Sequence, residues 1–102
     1  MIVVDETQCG KGIALPAGEM LALRLREQGT SGYTWSVEEA DGLALRASSF
    51  TPGGDAVGAA GVREFRFLAA EAGTYVLRLK HWRDWQGEGS VIGRCRLDVR
   101  VE

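Results

Sequence analysis

His81 is the only histidine in the chain, and Cys9 and Cys95 are its only thiols. A thiol beside an imidazole is the pairing that makes a covalent nucleophile. The sequence does not prepare these residues for that role. Cys95 falls in the middle of an alternating run, on its apolar face, where thiols are normally inert. The cysteines match neither a C-x-x-C nor a zinc spacing, and a metal site needs several ligands. No Ser/His/Asp set accompanies them, so no enzyme, metal or cofactor is expected. The two cysteines read as free, mostly buried thiols that behave as small hydrophobes. A bridge tying the first strand to the last is the alternative that sequence leaves open. His81 reads as a satisfied core residue on an inward face.

The glycine-rich run Gly54-Asp55-Ala56-Val57-Gly58-Ala59-Ala60-Gly61 invites comparison with a phosphate-binding loop. No Lys-Ser/Thr pair follows it, and the next segment alternates like a strand, so a phosphate site is not expected. The chemistry that remains is that of recognition. Trp82, Arg83 and Trp85 stand together at the end of a strand-like run. Alternation turns Trp82 away from Leu79 and His81, toward solvent. Exposed Trp is unusual, and Trp and Arg are enriched at binding hot spots. Gln28-Gly29-Thr30-Ser31-Gly32 forms a second loop, where glycines admit unusual backbone angles and the hydroxyls can bond to local backbone. Tyr33 and Trp35 follow on one face and start a buried strand.

These loops need a scaffold, and period-two alternation supplies one. Cys95, Leu97, Val99 and Val101 oppose Arg94, Arg96, Asp98 and Arg100. Tyr75, Leu77 and Leu79 oppose Arg78 and Lys80; Leu21, Leu23 and Leu25 oppose Arg24 and Arg26; Phe65 and Phe67 oppose Glu64 and Arg66. Successive side chains of a strand point to opposite faces, so each run reads as a half-buried strand. Shorter candidates lie at 2–4, 11–15, 33–37 and 43–47. Turn signals rich in Gly, Pro and Asp separate the runs. About seven or eight short strands with regular turns predict an all-β antiparallel sandwich or barrel.

The length of 102 residues fits a single domain, spanning 1–102, with room for a real core. Net charge is −2, with no basic concentration that would mark a nucleic-acid footprint. No apolar run approaches a membrane span, and the N-terminus lacks the basic and apolar regions of a signal peptide. The expected setting is cytoplasmic as the chain reads, or periplasmic or secreted if a leader has been removed.

Taken in order, the three loops resemble the chagasin-type inhibitors of papain-like cysteine peptidases. That family carries Asn-Pro-Thr-Thr-Gly-Tyr-x-Trp where this chain has Gln28-Gly29-Thr30-Ser31-Gly32-Tyr33-Thr34-Trp35. It has Gly-x-Gly-Gly where this chain has Gly58-Ala59-Ala60-Gly61, and Arg-Pro-Trp where this chain has Arg83-Asp84-Trp85. The resemblance implies an immunoglobulin-like β-sandwich whose three loops sit side by side and plug a peptidase cleft. It implies a monomeric protein that binds a papain-like cysteine peptidase reversibly and competitively, without nucleic acid or membrane. Gln28, Gly29, Thr30, Ser31, Gly32, Gly58, Ala59, Ala60, Gly61, Trp82, Arg83, Asp84 and Trp85 are then the target-binding residues. Thr30 and Ser31 stand at the tip nearest the target's catalytic cysteine. Where the family has Pro, Gly29 adds freedom, and Asp84 is expected to restore order by capping its turn as an Asx residue. Two alternatives stand beside this reading. One is an adhesion or carbohydrate-binding sandwich in which Trp82 and Trp85 form a stacking platform. The other is a scaffold that has lost inhibition.

Overall fold

A computed structural model describes residues 1–54 and 60–102. Among these residues eight strands run in order: β1 (Ile2–Asp5), β2 (Gly12–Leu15), β3 (Glu19–Glu27), β4 (Thr34–Glu39), β5 (Ala44–Thr51), β6 (Gly61–Ala69), β7 (Gly73–Trp82) and β8 (Gly93–Val101). They form two four-stranded sheets, ordered β1-β3-β6-β5 and β2-β8-β7-β4. The sheets pack face to face, as alternating runs with one apolar face must. The inward residues of β3, β6, β7 and β8 make the core: Leu21, Leu23, Leu25, Phe65, Phe67, Leu77, Leu79, Leu97 and Val99 are buried.

The strands inferred from alternation are present, most of them extended at their ends. The 33–37 candidate becomes Thr34–Glu39, and the 43–47 candidate becomes Ala44–Thr51. Two departures concern pairing. Only six strands pair antiparallel; the short β1 and β2 run parallel to β3 and β8. Register shifts at Val37/Glu39 and Leu45/Ala47 mark bulges in β4 and β5, which interrupt strict alternation there.

The cysteines correct the expectation of free thiols. Cys9 and Cys95 form a disulfide, with Cα atoms 4.9 Å apart. A 3-10 turn over Glu6–Gln8, anchored by the Asp5 side chain on the Thr7 N–H, carries Cys9 to β8. The bridge closes a separation of 86 residues, which in the chain-entropy account is worth about 4.5 kcal/mol through the unfolded state.

Register decides where the loops go. Glu27 at the end of β3 pairs with Gly61 at the start of β6. Thr51 pairs with Val62, Thr34 with Trp82, and His81 with Gly93. Loops 28–33, 52–60 and 83–92 therefore leave the same end of the sandwich.

Candidate functional site

The first loop is organised from within by Ser31. Its hydroxyl donates to the Gln28 carbonyl at 3.1 Å and accepts the Tyr33 N–H at 3.2 Å. Gly32 then turns with φ of 80°, a left-handed angle that glycine adopts freely. Thr30, Gly29 and Gln28 are exposed, and Ser31 is half-buried behind them. A Cβ on Gly29 would meet the Phe50 ring at 3.2 Å, so this loop rests against the end of β5.

The third loop is built on two 3-10 turns, Asp84–Gln86 and Glu88–Ser90. The Ser90 hydroxyl accepts the Arg83 N–H at 3.0 Å. It lies 2.7 Å from the Gly87 carbonyl and 2.8 Å from the Arg83 carbonyl, one of which takes its proton. Asp84 does not cap the turn. The residue at the cap position is Arg83, with no side-chain capping bond, and Asp84 is exposed. The order that Pro would supply comes instead from Ser90, a residue the sequence pattern did not single out.

Arg83 joins the two loops. Its guanidinium donates to the Ser31 carbonyl from two nitrogens, at 2.9 and 3.2 Å. The same group lies over the Tyr33 ring at 4.2 Å and the Trp85 ring at 5.6 Å. A Cβ on Gly32 would sit 3.5 Å from Arg83 Nε and 3.8 Å from Trp85 Cζ2, ordinary contact distances, so it is the left-handed backbone angle rather than space that favours glycine here. Trp85 remains 68% exposed.

Trp82 behaves differently from Trp85. It points to the outer face, as alternation requires, but is held there. Its Nε1 donates to Ser36 Oγ at 3.0 Å, and Lys80 Nζ lies 3.5 Å from its ring centroid. Lys80 also pairs with Glu88 at 2.9 Å, and Arg94 bonds both Glu88 and Glu38. The bonds from Lys80 and Arg94 hold the Glu88 carboxyl below the usual carboxylate range.

Beneath the loops the core turns polar. Glu27, only 3% exposed, continues the inward phase of Leu21, Leu23 and Leu25. It accepts the Trp35 N–H at 2.7 Å and pairs with Arg63 at 2.8 Å. Arg63 likewise continues the phase of Phe67 and Phe65. The Trp35 indole donates to the Arg26 carbonyl at 2.9 Å and stacks on His81, with ring centroids 4.7 Å apart. His81 is inward as expected but not fully satisfied: its Nε2 is buried without a hydrogen-bond partner among the described residues. Burial lowers the imidazole pKa, partly opposed by the Glu27 charge and the Tyr33 backbone. The signal for Glu27 and Arg63 was available in sequence, since each is a charge at an inward position of an otherwise apolar run.

In the second loop, Gly61 is buried against Phe50 and the Thr51 carbonyl, each 2.5 Å from where a Cβ would stand. Ala60 lines a cavity of about 460 Å³ with Gln28, Ser31, Tyr33 and His81, which places it beside the first loop. Gly58 and Ala59 lie outside the described residues. No group of three metal-ligating side chains occurs among the described residues, and no helix there is long and apolar enough to cross a membrane.

Comparisons with known proteins agree with this architecture. Residues 14–99 match the family described as chagasin family peptidase inhibitor I42. Chagasin from Trypanosoma cruzi is 26% identical over 91 residues, which cover 82% of this chain and 83% of chagasin. The cysteine protease inhibitor EhICP2 from Entamoeba histolytica has the same fold, with a TM-score of 0.83 at 18% identity over 99% of this chain and 94% of its own. PbICP-C, solved in complex with falcipain-2, gives a TM-score of 0.76 at 12% identity, covering 100% of both chains. With a family match that runs from β2 to β8, the chain belongs to the chagasin family of peptidase inhibitors.

Proposed function

We propose that this inhibitor occludes the active-site cleft of papain-like cysteine peptidases with the three loops at one end of its sandwich. The observation that carries the reading is the Arg83 link to Ser31, which binds the first and third loops into one unit. A preordered surface loses little entropy on docking. Thr30 and Ser31 form a small-residue tip that enters a narrow cleft, and exposed Trp85 packs against the cleft wall beside it. With its carbonyl held by Arg83, the Ser31–Gly32 peptide is not offered to an oxyanion hole. On this reading inhibition is non-covalent and reversible, and the loop is not cleaved. Exposed Asp84 sets a negative charge beside Trp85, which disfavours targets with an acidic rim.

A two-tryptophan sugar platform is the weaker reading, because Trp82 is already engaged by Lys80 and Ser36. Steady-state kinetics decide. The purified chain is expected to inhibit papain and a cathepsin L-like enzyme competitively and to leave trypsin untouched. No inhibition of either cysteine peptidase at micromolar concentration would overturn the proposal.

A further inference from the structure

We infer that Glu27 is a positioning residue for the inhibitory loops, set below them and out of reach of a target. The inference rests on the cleft-occluding role proposed above. Its carboxylate takes the Trp35 N–H at 2.7 Å, from the strand that leaves the first loop. It takes Arg63 Nε at 3.2 Å and a second guanidinium nitrogen at 2.8 Å, from the strand that leaves the second loop. Glu27 itself ends the strand that enters the first loop. One buried side chain thus closes the mouth of loop 28–33 and ties it to the far end of loop 52–60.

A stability role explains this pair poorly. Two charges taken out of water gain little over well-packed apolar residues of similar size, and replacing both is often neutral or stabilising. A role in holding two strand ends in fixed relation explains it better. The exit of the first loop is also held by the Trp35 indole on the Arg26 carbonyl and by β4 pairing with β7, but neither reaches the second loop's strand. The carboxylate adds a directional bond from the Glu27 side chain, at the loop's entry, to the Trp35 N–H eight residues on. Arg63 holds that carboxylate in place and packs its guanidinium 5.3 Å from the Phe50 ring, the same ring that backs Gly29 and Gly61. The linked set therefore fixes the exit of the first loop relative to the start of β6, where the second loop ends.

The test compares the native chain with the double substitution Glu27→Leu and Arg63→Leu. Three quantities are read: melting temperature, amide exchange at Trp35, and the inhibition constant for papain. The double variant is expected to fold and to melt modestly below the native temperature, because the Trp35 N–H loses its acceptor while the charge pair is replaced by apolar side chains. Its Trp35 amide should exchange about tenfold faster while Leu77 and Leu97 amides stay protected, and papain inhibition should weaken about tenfold. A folded double variant with native Trp35 exchange and native inhibition would overturn the inference. So would a loss of inhibition that merely tracks a fall in melting temperature. Should the double variant not fold, Glu27→Gln replaces it: the amide oxygen keeps the Trp35 bond, and inhibition should weaken with Trp35 exchange unchanged. Native inhibition by Glu27→Gln would then overturn the inference. If the native chain does not inhibit papain, the inhibitory reading fails, and Trp35 exchange alone decides the role of Glu27.

Discussion

The Arg83 guanidinium donates two hydrogen bonds to the Ser31 carbonyl across 52 residues of sequence, and it lies over the Tyr33 ring while doing so. It is half-buried and braced inside the loop cluster. Its contribution to inhibition is therefore expected to come through the first loop. Arg83→Ala should weaken inhibition by about 1–2 kcal/mol, the scale of lost hydrogen bonds to a charged group. Arg83→Lys should not restore it, because an ammonium has neither the planar fork nor the stacking face. Inhibition constants and amide exchange over residues 28–33 check this together; both should change in both variants.

Trp82 and Trp85 should separate by what they affect. Trp85 is 68% exposed. Trp85→Ala should cost roughly 2 kcal/mol of binding, about 30-fold, with little change in melting temperature. Trp82→Ala removes a ring that Lys80 covers and an indole N–H that Ser36 accepts. It should lower stability by about 1–2 kcal/mol and affect binding less than Trp85→Ala does. Thermal melts and papain titration of the two variants distinguish the roles.

Proline can be placed in the third loop at little cost. Arg83 before it is extended, with φ of −101° and ψ of 105°, which a following proline accepts. Asp84 begins a 3-10 turn, where proline's fixed angle suits the backbone. Asp84→Pro is expected to raise stability by about 0.4–1 kcal/mol and to leave inhibition unchanged or tighter. Gly29→Pro should gain less, because its new carbon atoms press on the Phe50 ring. Melting temperatures and inhibition constants of the two single variants test the difference.

Stability should fall as pH drops below about 6.5, the ordinary imidazole pKa. Burial holds the His81 pKa below that value in the folded chain. The unfolded chain therefore binds the proton first, so the stabilising contribution is complete above the unfolded pKa. It declines on acidification and levels off once the folded imidazole also titrates. His81→Phe keeps a ring against Trp35 and should lose this component of the pH dependence. Thermal melts of native and variant chains from pH 7.5 to about 4.5 would show the two curves parting on the acid side. Parallel curves would refute the assignment to His81.

How much of this was legible before the structure depends on the range of each interaction. The alternation at 21–25, 63–67, 75–79 and 95–101 already required half-buried strands, because a strand's side chains face opposite ways whatever it pairs with. The outward turn of Trp82 followed from the same local rule, whereas the Thr30 tip was an expectation of the family resemblance. Glu27 and Arg63 carried a readable signal, a charge at an inward position, but only pairing shows that the two charges answer each other. The Cys9–Cys95 bridge, the Arg83 bond to Ser31 and the replacement of an Asp84 cap by Ser90 had no local signature. Each depends on bringing together groups from separate strands or turns, and a one-residue change of register would have turned them to different faces. Sequence alone determined which residues face the core and which stand in turns. Tertiary pairing decided which turns share one end and which side chains lock them, because those contacts join positions that only the assembled sheets bring within hydrogen-bond reach.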